Sequence, residues 1–255
     1  MRIPWLPDDS VPLPPAERAM PRGHELEGLV AAGGGLGCER LEEAYRSGLF
    51  PWYSEGQPVL WWSPDPRMVL EPSAFKVSRS FGKTLRKFQG DPGSEIRFDH
   101  DTPAVIAACA AAPRRGQSGT WIVPEMVDAY CAWHAHGRVH SVETWIDGRL
   151  VGGLYGVLLG RAFFGESMFA RRPEASKIAL AALVAWCLQH GIELIDCQQV
   201  TAHLASMGAR PISRDRFLDR VRRATATPAA GDWAYHDPDW ASLRNLRVPA
   251  EDRGS

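Results

Sequence analysis

The sequence predicts an α+β protein in which a β-meander leads into a long apolar helix and then into a short buried strand. Asp147-Gly148 lies between two runs of β-forming residues and is the strongest short hairpin signal in the chain. Pro173 and Glu174 suit the first turn of a helix, and the apolar run that follows them ends at Gly191. The residues after that glycine, Ile192 to Cys197, are typical of a short buried strand.

The remaining elements are predicted from apolar periodicity and from the residues that begin or end helices. The meander strands are Val139–Ile146, Leu150–Leu158 and Ala162–Met168, and the helices span residues 39–47, 101–112, 124–136, 173–190, 200–207 and 211–223. The stretch 50–70 is rich in proline and tryptophan and cannot form regular helix. Its aromatic rings serve either core packing or a binding surface.

The domain organisation follows from these elements. A boundary at Trp62 gives a small N-terminal domain, residues 1–62, and a larger domain, residues 63–223. The tail, residues 224–255, lacks periodicity, so we expect it to be loosely ordered and anchored by Trp233 and Trp240.

Composition excludes several classes of protein. The chain has 255 residues, of which 45% are hydrophobic and 23% charged, and its net charge is −1, which is ordinary for a globular protein. It has no apolar run of about 18 residues and no apolar signal-peptide core, so we expect a cytoplasmic location and no membrane partner. Five scattered cysteines without a CxxC pair favour reduced thiols, and His134 and His136 lack the spacing of a helical metal pair. We therefore expect no metal site.

Three polar residues of the central stretch are candidates for chemistry. Glu166 interrupts an apolar run and is either on a polar face or buried with a partner. Asp196 and Gln198 are two apart on a strand and share one face, which suits a structural hydrogen-bond pair or a catalytic one. The chain has no GxSxG elbow or Ser–His–Asp arrangement, so covalent catalysis is not indicated. Direct attack by a bound nucleophile remains.

The order of meander, helix and strand resembles the N-acetyltransferase (GNAT) fold, which binds coenzyme A at a glycine-containing turn before the helix. Here that position reads FARRPEASK and holds no glycine, which argues against a cradle of backbone N–H groups for pyrophosphate. The glycines at 33–37 lack the GK[ST] ending of a phosphate loop. Acyl transfer from a different donor stays open.

The segment 76–87 carries five cations and no acid. They are Lys76, Arg79, Lys83, Arg86 and Lys87. Such a run is either a solvated face or a patch that binds nucleic-acid phosphates.

The motifs FPWYS, LWWSPDPR, GTWI, HSVETW, LVGGLYG, FGESMF, ASK and LIDCQ occur in this order. Together they resemble the leucyl/phenylalanyl-tRNA–protein transferase family over about residues 25–220. The resemblance implies an enzyme that moves Leu, Phe or Met from aminoacyl-tRNA to the N-terminal Arg or Lys of a protein. This tags the acceptor for degradation by the N-end rule. It also implies a small N-terminal domain followed by a GNAT-like domain, and no cofactor, coenzyme A included. We further expect a monomer.

The resemblance also assigns roles to residues. Asp196 would hold and polarise Gln198, which orients the attacking amine, and Glu166 would bind a cationic group of the acceptor or the donor. An apolar pocket for the donor side chain would be formed by Leu154, Phe163, Leu180 and Leu183. Trp52 and Trp121 would contact the terminal adenosine, Ser167 and Thr201 would contact substrate, and segment 76–87 would bind the tRNA acceptor stem. Many family members have Asn where Thr201 stands.

Two other functions stay open at the level of sequence. One is an acetyl-coenzyme A-dependent N-acetyltransferase, which the glycine-free turn disfavours. The other is a non-catalytic RNA-binding protein that uses the basic segment and the tryptophans.

Overall fold

The computed structural model describes residues 2–112, 122–228, 231–235, 240 and 243. The strands are β1 Trp5–Leu6, β2 Leu29–Gly33, β3 Phe50–Pro51, β4 Leu60–Trp62, β5 Arg67–Leu70, β6 Ser94–Phe98, β7 Val139–Ile146, β8 Arg149–Leu159, β9 Ala162–Ala170, β10 Leu194–Gln198 and β11 Arg210–Ile212. The helices are α1 Cys38–Arg46, α2 Arg79–Gln89, α3 Thr102–Ala111, α4 Pro124–Ala135, α5 Ala175–Gln189, α6 Ala202–Ser206 and α7 Arg214–Ala226. Within these ranges, every helix is too short or too polar to cross a lipid bilayer.

The strands form two sheets, so the predicted α+β class is confirmed. A small sheet has the order β1-β2-β4-β3, and a seven-stranded sheet has the order β11-β5-β10-β9-β8-β7-β6. In the large sheet β7, β8 and β9 are the predicted meander, and β10 pairs parallel with β9 and antiparallel with β5. Helix α5 packs on one face of the meander, and α3 and α4 pack on the other face.

The hairpin signal is confirmed by the backbone. Asp147 and Gly148 both have positive φ, 53° and 68°, as the two central residues of a type I′ turn require. This turn matches the right-handed twist of the flanking strands, which brings Ile146 opposite Arg149.

The predicted start of the long helix is wrong by two residues. Helix α5 begins at Ala175, and the Ala175 N–H donates to the carbonyl of Arg172 at 3.2 Å across a turn. Glu174 has a φ of 66°, so Pro173 and Glu174 are the central residues of a type II-like turn rather than a first helical turn. Proline suits both positions, which is why the sequence did not separate them.

Both tryptophans of the tail pack against helices of the large domain. The Trp233 ring packs 4.5 Å from the Trp186 ring of α5, and the Trp240 ring packs 6.5 Å from Phe88 of α2, centroid to centroid. Leu243 is also buried in this core. The helix before the tail, α7, extends to Ala226, slightly past its predicted end.

Candidate active site

A cavity of about 720 Å³ opens beside the large sheet. Strands β9 and β10 pair only as far as Phe164 and Asp196, and the cavity lies where that pairing ends. Most of its wall is apolar, and it contains all four residues predicted to hold the donor side chain. Gln198, the two tryptophans and the basic segment are not among the described residues that line it. The predicted residues that line it are Leu154, Phe163, Glu166, Ser167, Leu180, Leu183, Asp196 and Thr201.

The apolar wall is formed by side chains from three elements of the large domain. Leu154 projects from β8, Phe163 projects from β9, and Leu180 and Leu183 lie one turn apart on α5. All four side chains are buried in one core cluster, so this apolar wall belongs to the packed core of the protein.

Glu166 is buried at the polar end of the cavity and has partners, which settles the alternative that the sequence left open. Only 7% of the residue is exposed. The Tyr130 hydroxyl donates to its Oε2 at 3.1 Å, and the Gln198 side-chain amide donates to its Oε1 at 2.9 Å. The hydroxyls of Tyr130 and Tyr45 are also hydrogen-bonded. Burial raises the pKa of Glu166 to about 7, against the effect of these tyrosines.

Asp196 forms a buried, bidentate ion pair with Arg67. The Arg67 Nε donates to Oδ1 at 2.8 Å and Nη2 donates to Oδ2 at 2.6 Å, with side-chain exposures of 0% for Arg67 and 1% for Asp196. The guanidinium lies between the rings of Phe50 and Phe217, at 4.6 and 4.5 Å from their centroids. Cation–π contacts of this kind stabilise a desolvated arginine.

Asp196 does not hold the side chain of Gln198 in the described site, contrary to the expectation from the sequence. Asp196 Oδ1 accepts the main-chain N–H of Gln198 at 2.9 Å, while the Gln198 side chain turns to Glu166. The cause is a register shift between Asp196 and Gln198 in the pairing with β5, with Gln198 at a φ of 59°. A bulge of this kind redirects a side chain, so the simple alternation of faces does not hold here.

The five cations of segment 76–87 are all solvent-exposed, and four of them lie on α2. The opposite face of this helix is buried through Phe81, Leu85 and Phe88. The Lys76 main-chain N–H donates to the carbonyl of Met207 at 2.9 Å, just after α6. Because α6 contributes His203 and Leu204 to the cavity wall, the basic segment starts beside the cavity.

Three other predicted contacts have different surroundings. Thr201 lines the cavity, but its hydroxyl accepts the Leu204 N–H at 3.2 Å and so caps α6. Trp52 is half-buried and packs edge-on against Trp62, 5.6 Å between centroids, and it is not among the described residues that line the cavity. Trp121 lies outside the described residues.

Arg67, Tyr45 and Tyr130 were missed by the sequence reasoning although they hold the acidic groups of the site. Arg67 ends the motif LWWSPDPR and precedes an apolar strand, and this position was a usable signal for a buried cation with an acidic partner. Tyr45 and Tyr130 lie on the buried sides of two separate helices, and nothing in the local sequence indicates that they converge.

Over the described residues, no group of three or more His, Cys, Asp or Glu side chains is arranged to hold a metal ion. Cys197 lines the cavity. Burial raises the pKa of its thiol well above the usual range, so it is not poised to act as a thiolate nucleophile. The site therefore offers a neutral-range carboxyl group, an amide and an apolar wall.

Comparison with known proteins finds two family models that match the chain. The model described as leucyl/phenylalanyl-tRNA protein transferase matches residues 69–222, and the model of the N-terminal domain of the same family matches residues 34–65. The first match contains the second half of β5 and all the elements of the cavity, whereas Arg67 lies just outside both matches.

Curated relatives of similar length carry the same description. A leucyl/phenylalanyl-tRNA–protein transferase of Methylibium petroleiphilum is 60% identical over 94% of this chain and 91% of its own length. One of Leptothrix cholodnii is 58% identical over 94% of this chain and 95% of its own length. Among solved structures, a GCN5-related N-acetyltransferase from Kribbella flavida matches at a TM-score of 0.33 and 14% identity, over 68% of this chain and 60% of that one.

Proposed function

We propose a specific reaction for this chain, which belongs to the leucyl/phenylalanyl-tRNA–protein transferase family. In this proposal it moves Leu or Phe, and also Met, from aminoacyl-tRNA to an N-terminal Arg or Lys of a protein. The chain is a transferase enzyme. The single observation that supports this specific reaction is the apolar cavity with Glu166 at its polar end, where the side-chain amide of Gln198 holds the Glu166 carboxylate. We further propose that the reaction occurs in the cytoplasm on a monomer and tags the acceptor for the N-end rule.

The donor side chain enters the apolar part of the cavity. Leu154, Phe163 and the two leucines of α5 offer no hydrogen-bond partner, so a polar amino acid would lose its hydration there without compensation. A hydrophobic pocket distinguishes side chains that differ by one methylene by only ~1–3 kcal/mol. Several apolar donors are therefore accepted, and the shape of the wall sets the order among them.

The tRNA lies along α2. The exposed cations of segment 76–87 make no ion pair within the described part of the chain, so they are available to phosphates. Lys76 is held beside α6 at the cavity wall, and this supports a position of the first cation of the segment near the aminoacylated end. Each neutralised phosphate contributes a salt-sensitive part of the affinity.

Glu166 takes the proton of the attacking amine. Both oxygens of Asp196 are engaged by Arg67, and one also accepts the Gln198 N–H, so Asp196 is poorly placed to receive a proton. Burial raises the pKa of Glu166 to about 7, close to the ~7.7–8.0 of an N-terminal amine. A base works best when its pKa lies near that of the group it deprotonates and near the operating pH.

The steps balance as an ester aminolysis. The acceptor α-ammonium binds Glu166 and gives it one proton, and the neutral amine then attacks the ester carbonyl of the aminoacyl-tRNA. The new C–N bond forms, the bond from the carbonyl carbon to the ribose oxygen breaks, and that oxygen leaves with a second proton from the nitrogen. Glu166 returns its proton to water. Gln198 fixes the Glu166 carboxylate through its amide, so the enzyme supplies mainly alignment.

A transfer assay tests this function. The protein is mixed with Phe-tRNA labelled in its phenylalanine and with a peptide that begins with Arg, and label is expected in the peptide. The matched control is the same peptide with an acetylated N-terminus, which has no free amine and should remain unlabelled. Absence of label in the free peptide at tRNA and peptide concentrations that saturate binding would refute the proposal.

A further inference from the structure

Trp233 of the C-terminal tail packs directly behind one wall of the donor cavity. Its ring lies parallel to the ring of Phe163, at an interplanar angle of 3° and a centroid distance of 5.8 Å. Phe163 lines the cavity, whereas Trp233 is not among the described residues of the cavity wall. The tail also lies beyond residue 222, where the match to the family model ends.

The Phe163 ring is placed between the cavity and Trp233 by the neighbouring strand. The ring extends from β9 across β8 and lies over Gly156, where an added Cβ would be 2.6 Å from ring atoms. Gly156 pairs with His140 on β7, and the ring of His140 is 4.6 Å from that of Trp233. The absence of a side chain at Gly156 therefore opens the path by which Phe163 reaches Trp233.

Trp233 is itself held on several sides, so it forms a firm backing. Its ring lies 4.5 Å from that of Trp186 and 4.9 Å from that of Phe98. Its indole N–H donates to the carbonyl of Ser141 at 3.4 Å. Removal of this ring would leave an unfilled volume behind Phe163, and aromatic side chains beside such a volume relax into it in part.

We propose that Trp233 is a positioning residue that sets the depth of the donor pocket through Phe163, and thereby sets the preference between leucine and phenylalanine. This inference rests on the proposed function. With Trp233 in place, the Phe163 ring cannot retreat and the pocket has its shorter depth. Without it, the ring moves away from the cavity, and the longer phenylalanine side chain gains relative to leucine.

The test is the ratio of kcat/KM for Phe-tRNA to kcat/KM for Leu-tRNA, measured with one acceptor peptide. Trp233→Ala should raise this ratio at least about fivefold, since one methylene in an apolar pocket already changes selectivity by roughly tenfold or more. Trp233→Phe, which keeps a ring behind Phe163, should return the ratio to within about twofold of the unmodified protein. A general loss of stability would lower both rates and leave the ratio unchanged.

The matched control is Trp240→Ala, which removes the other tail tryptophan. Trp240 contacts Phe88 and Tyr235 and lies at a different cavity, against α2. Its substitution should leave the ratio as it was. If Trp233→Ala does not fold by circular dichroism, Trp233→Leu takes its place and the same ratio is read.

Two failures are distinguishable. If the unmodified protein transfers both amino acids but the ratio is unchanged in the folded Trp233 variant, the role of Trp233 is overturned and the proposed function stands. If the unmodified protein transfers neither, the proposed function fails and this inference falls with it.

Discussion

Replacement of Glu166 by glutamine should stabilise the protein at alkaline pH while it abolishes most of the activity. The carboxyl group has an ordinary pKa of 4.5 and, because it is buried, a folded-state pKa of about 7. The raised value means that the folded protein holds the proton more tightly than the unfolded chain does. Stability from this group is therefore complete below about pH 4.5 and is lost as the pH rises through about 7.

The size of the effect follows from the same two values. A difference of about 2.5 pKa units at ~1.36 kcal/mol each gives roughly 3 kcal/mol of stability lost between pH 4.5 and pH 9. Glutamine has nearly the same shape and no charge to desolvate. Its oxygen can accept from Gln198, and its amide can donate to the Tyr130 hydroxyl if that hydroxyl reverses and donates to Tyr45, so the network stays satisfied.

The assay is urea unfolding of both proteins at several pH values from 5 to 9. We expect the free energies of unfolding to be similar near pH 5 and the glutamine variant to be more stable by up to about 3 kcal/mol near pH 9. Transfer activity should fall at least about 100-fold, as is usual when a general base is removed. Parallel stability curves for the two proteins would refute the placement of a neutral-range carboxyl group at this position.

Three further predictions concern the other charged groups. Arg67→Met should lower the free energy of unfolding by about 3–5 kcal/mol, because it leaves Asp196 buried without its partner. Combination with Asp196→Asn should recover part of that loss. Urea unfolding of the single and double variants measures both effects, and additive losses would contradict the prediction. Asp196→Asn alone should lower turnover at least about tenfold and leave the affinity for tRNA nearly unchanged, because Asp196 holds the main chain of Gln198. Single-turnover kinetics and tRNA binding measure the two quantities, and equal losses in both would instead indicate misfolding. Replacement of Lys83 and Arg86 by Ala should weaken tRNA binding, because two proposed phosphate contacts are removed. The slope of log binding constant against log salt concentration should become shallower by about 2. Filter-binding titrations at several salt concentrations measure this slope, and an unchanged slope would mean that α2 is not part of the interface.

The parts of the fold that were predicted correctly have strong local causes. Asp147-Gly148 requires a turn whatever surrounds it, and the apolar run of α5 can only be a buried segment. The start of α5 was wrong because Pro173 favours the second position of a type II turn as much as a first helical turn. In the structure, the main-chain N–H groups of Arg171 and Arg172 both donate to the carbonyl of Val151 in β8, a contact that the local sequence does not reveal.

The chemistry of the site was less predictable because its partners are far apart along the chain. Arg67 and Asp196 are 129 positions apart, and Tyr45 and Tyr130 are 85 positions apart. The sequence could identify Glu166 as unusual, but not whether it was buried, since burial depends on how two helices pack on the sheet. The left-handed backbone conformation of Gln198 could not be predicted either, because the sequence pattern assumes that side chains alternate regularly between the two faces of a strand.

These long-range contacts also show what the first 62 residues contribute to the proposed active site. Tyr45 extends the hydrogen-bonded chain from Glu166, and Phe50 covers the guanidinium that holds Asp196. The Gly48 carbonyl also accepts from Arg67 at 3.4 Å. The boundary predicted at Trp62 therefore separates two stretches of chain whose side chains support one pair of carboxyl groups. The first 62 residues thus help to fix the charge state of the site, because Tyr45 of α1 is buried beside the Glu166 carboxyl group and burial is what raises the pKa of Glu166.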